Sequence, residues 1–513
     1  MLSFCHAVIL RSIICIDNRP QIRERQHNDT AQYGFMIRHT QALLAMLALT
    51  GCASIPQLDA PPALRDPATL SLGVRPAAAP GAFPDDRWWT AMGDPALDRL
   101  MEEALSASPD LAAAQARARR ALAFQAQAKA ATLPALGVEG SAGAIRQSQN
   151  QGFPPGLIPG DVRDQGRIGA LLEFDLDLWG RKRSALAAAT SAAMSAQVDV
   201  AQTRLLLQAA IASAYADLAG LFASRDLAEA RLKNAGDELA LLQARQARGL
   251  ENSTVVSEAE GQLARTVAEL KALDEAIALT RNALAALAGA GPERGQMIQR
   301  PQLAVRQDLA LPGDLPLNLV GRRPDLVSAR LRAESASARI GIARAAFYPD
   351  INLAALVGFQ AIGLANLFQD SSLIANAGPA LRLPIFDGGA ARAGYRAARA
   401  DYDEAVSLYN AALITAIRQV ADAAASKASL TDQIAAAQNA VNAAQRQLAA
   451  TRQRHAAGLD DLRRTLAAER ALIAARAALS ALNTRNQQAD IALSVALGGG
   501  FAETPEYKPE ANR

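Results

Sequence analysis

The chain has 513 residues, enough for more than one ordinary domain, and half are hydrophobic while aromatics make up only 4%, a pattern suited to long helices packed through Ala and Leu. The net charge of +3 is spread along the chain, so no basic surface marks a nucleic-acid partner. Cysteines stand only at 5, 15 and 52 and histidines at 6, 27, 39 and 455, which excludes a Cys/His zinc site, a thiol nucleophile and a disulfide framework, leaves only His455 for any triad, and predicts no metal, no cofactor and no catalytic residue.

Met36 to Ser54 reads MIRHTQALLAMLALTGCAS. Arg38 supplies a positive start, and Gln41 to Thr50 gives an apolar run too short to span a bilayer, as in a signal peptide. It ends in Leu49-Thr50-Gly51-Cys52, which resembles a lipobox, so Cys52 is expected to be acylated and to become the mature N-terminus. Ala53 follows rather than an inner-membrane-retaining aspartate, so outer-membrane sorting is expected. The polar stretch Asp17 to Asp29 fits poorly ahead of an export signal, and Met36 is read as the physiological start. Pro56, Pro61, Pro62, Pro67, Pro76, Pro80 and Pro84 then make an extended linker.

The rest of the chain reads as two tandem repeats. Ser108-Pro109-Asp110-Leu111 opens a helix that stops at Pro134, and Arg323-Pro324-Asp325-Leu326 opens another that stops at Pro349, about 25 positions apart in both. Proline in the first turn followed by an acid starts a helix, and proline after the last turn stops one. Alternating segments follow. Leu136, Val138, Gly140 and Ala142 make one, and Ile168, Ala170, Leu172, Phe174, Leu176 and Leu178 another, separated by a Gln-, Gly- and Pro-rich loop over 146–165. Ile351, Leu353, Ala355, Val357 and Phe359, then Leu381, Leu383 and Ile385 around Arg382, form the second pair. Each repeat thus holds one hairpin of strands about ten residues long, the length of a tilted membrane strand. Glu173, Asp175 and Asp177 alternate on one strand face and read as acids of a polar barrel lumen.

After each hairpin the period becomes helical. Trp179-Gly180-Arg181 starts a run with no proline until Pro292, and Phe386-Asp387-Gly388-Gly389 starts its counterpart. Leu186, Ala189, Ala193, Ala196, Val200, Leu207, Ala210, Ala214 and Leu221 follow heptad-like spacing. Gly249 and Gly458 interrupt the two runs as helix tips. The stretch 180–247 would be about 100 Å long, and 253–288 and 109–132 about 54 and 36 Å, so two short helices stack beside one long one. Gly498-Gly499-Gly500 reads as a C-terminal cap, since no phosphate-loop Lys or strand accompanies it. The expected division is 1–51 extension and signal peptide, 52–85 lipid-anchored linker, 86–290 first repeat, 291–320 connector, 321–500 second repeat and 501–513 polar tail.

Two hairpins give four strands, and an open four-stranded sheet cannot sit in lipid with bare edges. Subunits must share a barrel. A dimer would give eight strands and a filled lumen, a trimer twelve and a channel, and the trimer is chosen. The fold class is therefore mainly α with a membrane β part: a trimeric 12-stranded barrel, four strands per chain, continuing into a long helical periplasmic barrel.

Several segments carry a family resemblance. They are Trp88-Trp89 with Gly93-Asp94-Pro95-Ala96-Leu97, Ser108-Pro109-Asp110-Leu111, the run Phe174 to Arg181, Gly321 to Leu326, Ala338 to Pro349, and Pro384 to Gly389. Together they cover about residues 85–500, and in order and spacing they resemble the TolC-like outer-membrane efflux family, NodT-type lipoprotein branch. The resemblance implies a homotrimer in outer-membrane lipid that docks through a periplasmic adaptor onto an inner-membrane pump of the resistance-nodulation-division type. The pump supplies the energy, and the channel is a passive duct for small molecules such as drugs, not an enzyme. The family's tips commonly read Gly-Leu-x-Ser followed by Leu-Asp-Val; here they read Gly249-Leu250-Glu251-Asn252-Ser253-Thr254-Val255 and Gly458-Leu459-Asp460-Asp461-Leu462-Arg463-Arg464, with Val255 and Arg464 at the usual aspartate positions. The tips are expected to form the periplasmic aperture. A threefold ring of Asp460 and Asp461 would attract cations, Arg463 and Arg464 would hold it closed, and Glu251 and Asn252 would stand beside it. A type I protein-secretion channel would share this fold, and a coiled-coil structural lipoprotein would explain the heptads but not the hairpins.

Overall fold

A computed structural model describes residues 55–70, 83–148, 160–304 and 315–503, with 315–318 by backbone alone. The chain divides into Met1–Ser54 and Ile55–Arg513, and the described residues all lie in the second unit. Cys52, Met36, the signal peptide, residues 149–159 of the first hairpin loop and the tail from 504 lie outside them.

The repeats match element for element. The first runs α2 (Pro109–Ala130), β1 (Ala135–Ile145), β2 (Arg163–Asp175), α3 (Arg181–Gln246) and α4 (Ser253–Leu287), preceded by α1 (Pro95–Ala107). After α5 (Pro292–Gln296) and α6 (Leu315–Arg322), the second runs α7 (Pro324–Ala345), β3 (Asp350–Ile362), β4 (Leu373–Arg382), α8 (Ala390–Ala456) and α9 (Leu462–Ala496). Corresponding helices have 22 and 22, 66 and 67, and 35 and 35 residues. Their starts follow from local chemistry: Pro109 and Pro324 occupy the first turn, and the Ser108 hydroxyl accepts from the Leu111 N–H. Helix α1 was not anticipated. Asp94 caps it, and its apolar face (Leu97, Leu100, Met101, Ala104) is buried.

The strands form one antiparallel sheet in the order β1-β2-β3-β4. Helix packing repeats that order in two tiers. Beside the sheet, α2 packs on α3, α3 on α7 and α7 on α8; farther away, α4 packs on α3, α3 on α9 and α9 on α8. Every tier therefore ends in the same two flanks, β1–α2–α4 on one side and β4–α8 on the other.

Where the short helices meet end to end, about 40 Å along α3, Trp88, Trp89 and Met92 and the α1 leucines pack against Leu207, Ile211, Tyr215 and Leu218 of α3, Leu284 of α4 and Ile491 of α9. Leu319, Val420, Leu493 and Leu497 make the counterpart cluster in the second repeat. Helix α9 ends on Gly498 in the left-handed region, with the Gly499 N–H donating to the Ser494 carbonyl, as its glycine run suggested.

Two expectations need correction. Of the heptad-like residues, only Ala193 and Leu207 are buried, and Ala210 is exposed. Helix α3 is gripped by α2, α4, α7 and α9 at once, so its contacts do not follow one stripe. The last strand runs Leu373–Arg382, ahead of Leu383 and Ile385, because its register is set by pairing from Phe359–Leu373 to Asp350–Arg382.

Candidate functional site

Strand register sorts the sheet's side chains onto two faces. Leu136 and Val138 of β1, Ile168 and Leu172 of β2, Leu353 and Val357 of β3, and Leu373 and Leu381 of β4 share one face. All eight are large, apolar and at least 36% exposed. The opposite face carries Glu139 and Ser141, Gln165, Arg167 and Glu173, Asn352 and Gln360, and Asn376. An apolar face open on one side and a polar face on the other is the arrangement of a membrane barrel wall. Among the described residues, β1 and β4 each pair on one edge only.

The central pairing, β2 with β3, joins the two repeats. Gly169 stands opposite Gly358, and a Cβ on Gly358 would lie 2.2 Å from the Ile168 carbonyl oxygen. Glycine here permits a backbone approach that no other residue allows.

Of the three acids placed in the lumen, only Glu173 is free on the polar face. Asp175 ends β2 with its side chain 8% exposed, bound by Arg181 at 2.8 Å and Lys182 at 3.5 Å. Arg181 also reaches Asp350 at 3.3 Å, which ties the end of β2 to the start of β3. Asp177 lies beyond the strand at φ 45°, and its carboxylate accepts from the Lys182 and Arg183 N–H groups. It caps the first turn of α3, since a helix start offers unpaired N–H groups that a short acid satisfies. Beside it Trp179 stacks on Tyr348 with centroids 4.5 Å apart and donates its indole N–H to the Pro349 carbonyl at 2.8 Å. Amphipathic rings at this junction suit a membrane–water boundary.

At the far end of the long helices, the tips are built alike. Gly249 (φ 78°) and Gly458 (φ 69°) take the left-handed conformation that lets the Leu250 and Leu459 N–H groups donate back to Arg245 and Arg454 at 2.9 Å. Asn252 and Asp461 then cap α4 and α9. Asp460, with its side chain 7% exposed, is held by Arg454 at 2.6 Å and by Arg464 at 3.2 Å. Hydrogen bonding from Arg454, with the charge of Arg464, keeps its carboxyl below the ordinary carboxylate range. Glu251 is ion-paired with Arg245 at 3.5 Å and accepts from Arg463 at 3.4 Å, and Arg245 also reaches Asp461 at 3.3 Å. The two tips of one chain are thereby cross-linked by ion pairs.

The structure thus brings together Glu251, Asp460, Asp461, Arg463 and Arg464, while Asn252 acts in its own helix cap. It adds Arg245 and Arg454, which the sequence reading missed. The signal was present, because both arginines stand six positions ahead of their acid at equivalent places in the two repeats. Among the described residues, no group of three or more His, Cys, Asp or Glu is placed to hold a metal ion.

With this geometry the comparisons agree. The model of the family described as outer membrane efflux protein matches residues 100–290 and 315–499. The fusaric acid resistance protein FusA of Burkholderia cepacia is 35% identical over 70% of this chain and 69% of its own length. The multidrug resistance outer membrane protein MdtP of Shigella flexneri is 30% identical over 89% of this chain and 95% of its own. The crystal structure of the outer membrane protein VceC from Vibrio cholerae matches with a TM-score of 0.76 at 37% identity, covering 82% of this chain and all of that one. The chain belongs to the outer membrane efflux protein family and is an outer-membrane efflux channel reaching into the periplasm.

Proposed function

We propose that three copies of this chain close head to tail into one duct that passes small molecules outward without covalent chemistry. The observation that carries this is the coincidence of open flanks. The β1–α2–α4 flank of one copy and the β4–α8 flank of the next would satisfy strand edges and helix faces together, and threefold rotation closes the ring. The apolar sheet face then meets lipid and the polar face, with Glu139, Arg167 and Glu173, lines the lumen.

The fuller assembly is part of this reading. Cys52 carries the lipid anchor, residues 52–85 tether it, and 86–290 and 321–500 are the two repeats. The tips at 249–254 and 458–464 form the periplasmic aperture and face an adaptor protein, which links the duct to an inner-membrane pump of the resistance-nodulation-division type. Support comes from the relatives' printed roles in drug and fusaric acid resistance. Cross-linking and native mass spectrometry of the purified protein test the stoichiometry, and cysteine pairs scanned between β1 and β4 test the junction. Trimers joined through β1 and β4 are expected. A monomer, or cross-links only between like strands, would overturn the reading.

A further inference from the structure

The charge on the tips points the opposite way from their acidic composition. In the outermost turns Arg245, Arg248, Arg454, Arg463 and Arg464 stand against Glu251, Asp460 and Asp461, an excess of two positive charges per chain. Their placement sharpens the imbalance. Asp461 is 47% exposed, but the carboxylates of Glu251 and Asp460 are only 14% and 7% exposed, whereas the guanidinium side chains over them, Arg463, Arg454 and Arg464, are 45%, 55% and 71% exposed. Arg248 is exposed as well. The next carboxylates along the wall, Glu258 and Glu469, lie about 8–10 Å back from the turns, a full screening length at physiological salt. Glu469 is also matched by Arg452.

We infer that the periplasmic mouth is a cationic rim that admits anionic solutes in preference to cations. The inference rests on the trimeric reading above, which sets three pairs of tips around one opening. Six surplus charges at the narrowest point raise the local concentration of anions and lower that of cations. If the trimer sets these charges within about one screening length of its axis, the anion-to-cation permeability ratio is expected to be roughly 2- to 5-fold. Solutes bearing a carboxylate or phosphate are the class such a rim would draw in.

The test is the reversal potential of the purified protein in planar bilayers under a KCl gradient. The parent should favour chloride, a combined Arg454→Gln, Arg463→Gln, Arg464→Gln variant should lose or invert that preference, and Asp461→Asn should strengthen it. A second measurement does not need an open pore. An uncharged fluorophore on Leu459→Cys, at an exposed position of the tip, reports local potential through the ratio of iodide to acrylamide quenching. That ratio should fall several-fold in the triple variant and with added salt. A cation-preferring parent, or a quenching ratio unmoved by the arginine changes, overturns the inference while leaving the duct intact. Failure to form trimers overturns the assembly and this inference together.

Discussion

The contact between Gly169 and Gly358 offers a sharp test, because it lies within the β2–β3 pairing that joins the two hairpins. A Cβ at 358 would sit 2.2 Å from the Ile168 oxygen and 2.4 Å from the Gly169 Cα. Carbon–oxygen approaches between strands are ordinarily about 3.3–3.6 Å, so Gly358→Ala must push β2 and β3 apart by about 1 Å. That is a fifth of the roughly 4.8 Å strand spacing, and it breaks the neighbouring ladder bonds. Overpacking costs about 1–3 kcal/mol and each lost bond about 1 kcal/mol, so two bonds bring the total to about 3–5 kcal/mol. The same substitution at Gly169 meets its nearest atom at 3.3 Å, and at Gly378 or Gly137 meets nothing within 4 Å. Assembly should be scored as the fraction running as heat-resistant oligomer on gels, with trypsin digestion of the unassembled chain as a second readout. The expected order is Gly378→Ala and Gly137→Ala like the parent, Gly169→Ala slightly reduced, and Gly358→Ala nearly absent. Equal assembly of Gly358→Ala and Gly378→Ala would refute the close approach and the sheet order built on it.

Acylation at Cys52 predicts a lipid-modified N-terminal peptide in mass spectra, lost in Cys52→Ser; an unmodified chain starting at Met1 would contradict it. Cysteines placed at Leu172 and Leu353, on the apolar face, should be shielded from aqueous reagents in the assembled protein while one at Glu173 reacts; equal labelling would reject the face assignment. Burial of Asp94 acts to raise its pKa, but donors from Gln302, Ala96 and Tyr215 outweigh it and hold the carboxyl low. Removing the charge-assisted Tyr215 bond in Tyr215→Phe should therefore cost about 1.5–3 kcal/mol in thermal unfolding, against no change if that bond is idle. At the tips, Asp460 has its pKa lowered by Arg454 and Arg464, so its stabilisation is complete above the unfolded value near 3.9 and is lost only as pH falls through the lower folded value. Protease cutting at residues 458–464 should stay constant from neutral pH down to about 5 and rise only below about 4; a transition between pH 5 and 7 would assign the tip's integrity to another group.

Much of this fold was legible because duplication prints every element twice. Pro109 and Pro324, Gly180 and Gly389, and Gly249 and Gly458 fix helix ends by local backbone chemistry, which a sequence exposes directly. Helix α1 was missed because its counterpart ahead of α7 is the shorter α6 (Leu315–Arg322), whose sequence does not repeat the Asp94-Pro95 start. The early part of β4, Ile374-Ala375-Asn376-Ala377-Gly378, alternates too weakly to declare a strand, and its pairing with β3 supplies what its composition lacks. The lumen acids misled for a related reason. Asp175 and Asp177 continue the period of two, but that pattern says nothing of where a strand stops, and the start of α3 at Arg181 claimed both carboxylates.

The tips show how duplication and its local failure together shape the site. Arg245 with Glu251 and Arg454 with Asp460 are one ion pair written twice, at equivalent places in the two repeats. The second copy then departs: Thr254 and Val255 in the first tip correspond to Arg463 and Arg464 in the second. Arg463 crosses to Glu251 of the first tip, whereas Arg464 covers Asp460 within its own, so one added charge binds the two unlike tips to each other and the other fastens the second. Around a threefold ring such tips would alternate, and each would carry one surplus positive charge: Arg245 and Arg248 against Glu251 in the first, Arg454, Arg463 and Arg464 against Asp460 and Asp461 in the second. The mouth would then be a three-part clasp. In that proposed assembly the pairs that join the two tips of each chain, Arg463 with Glu251 and Arg245 with Asp461, would be the ones a docking partner meets.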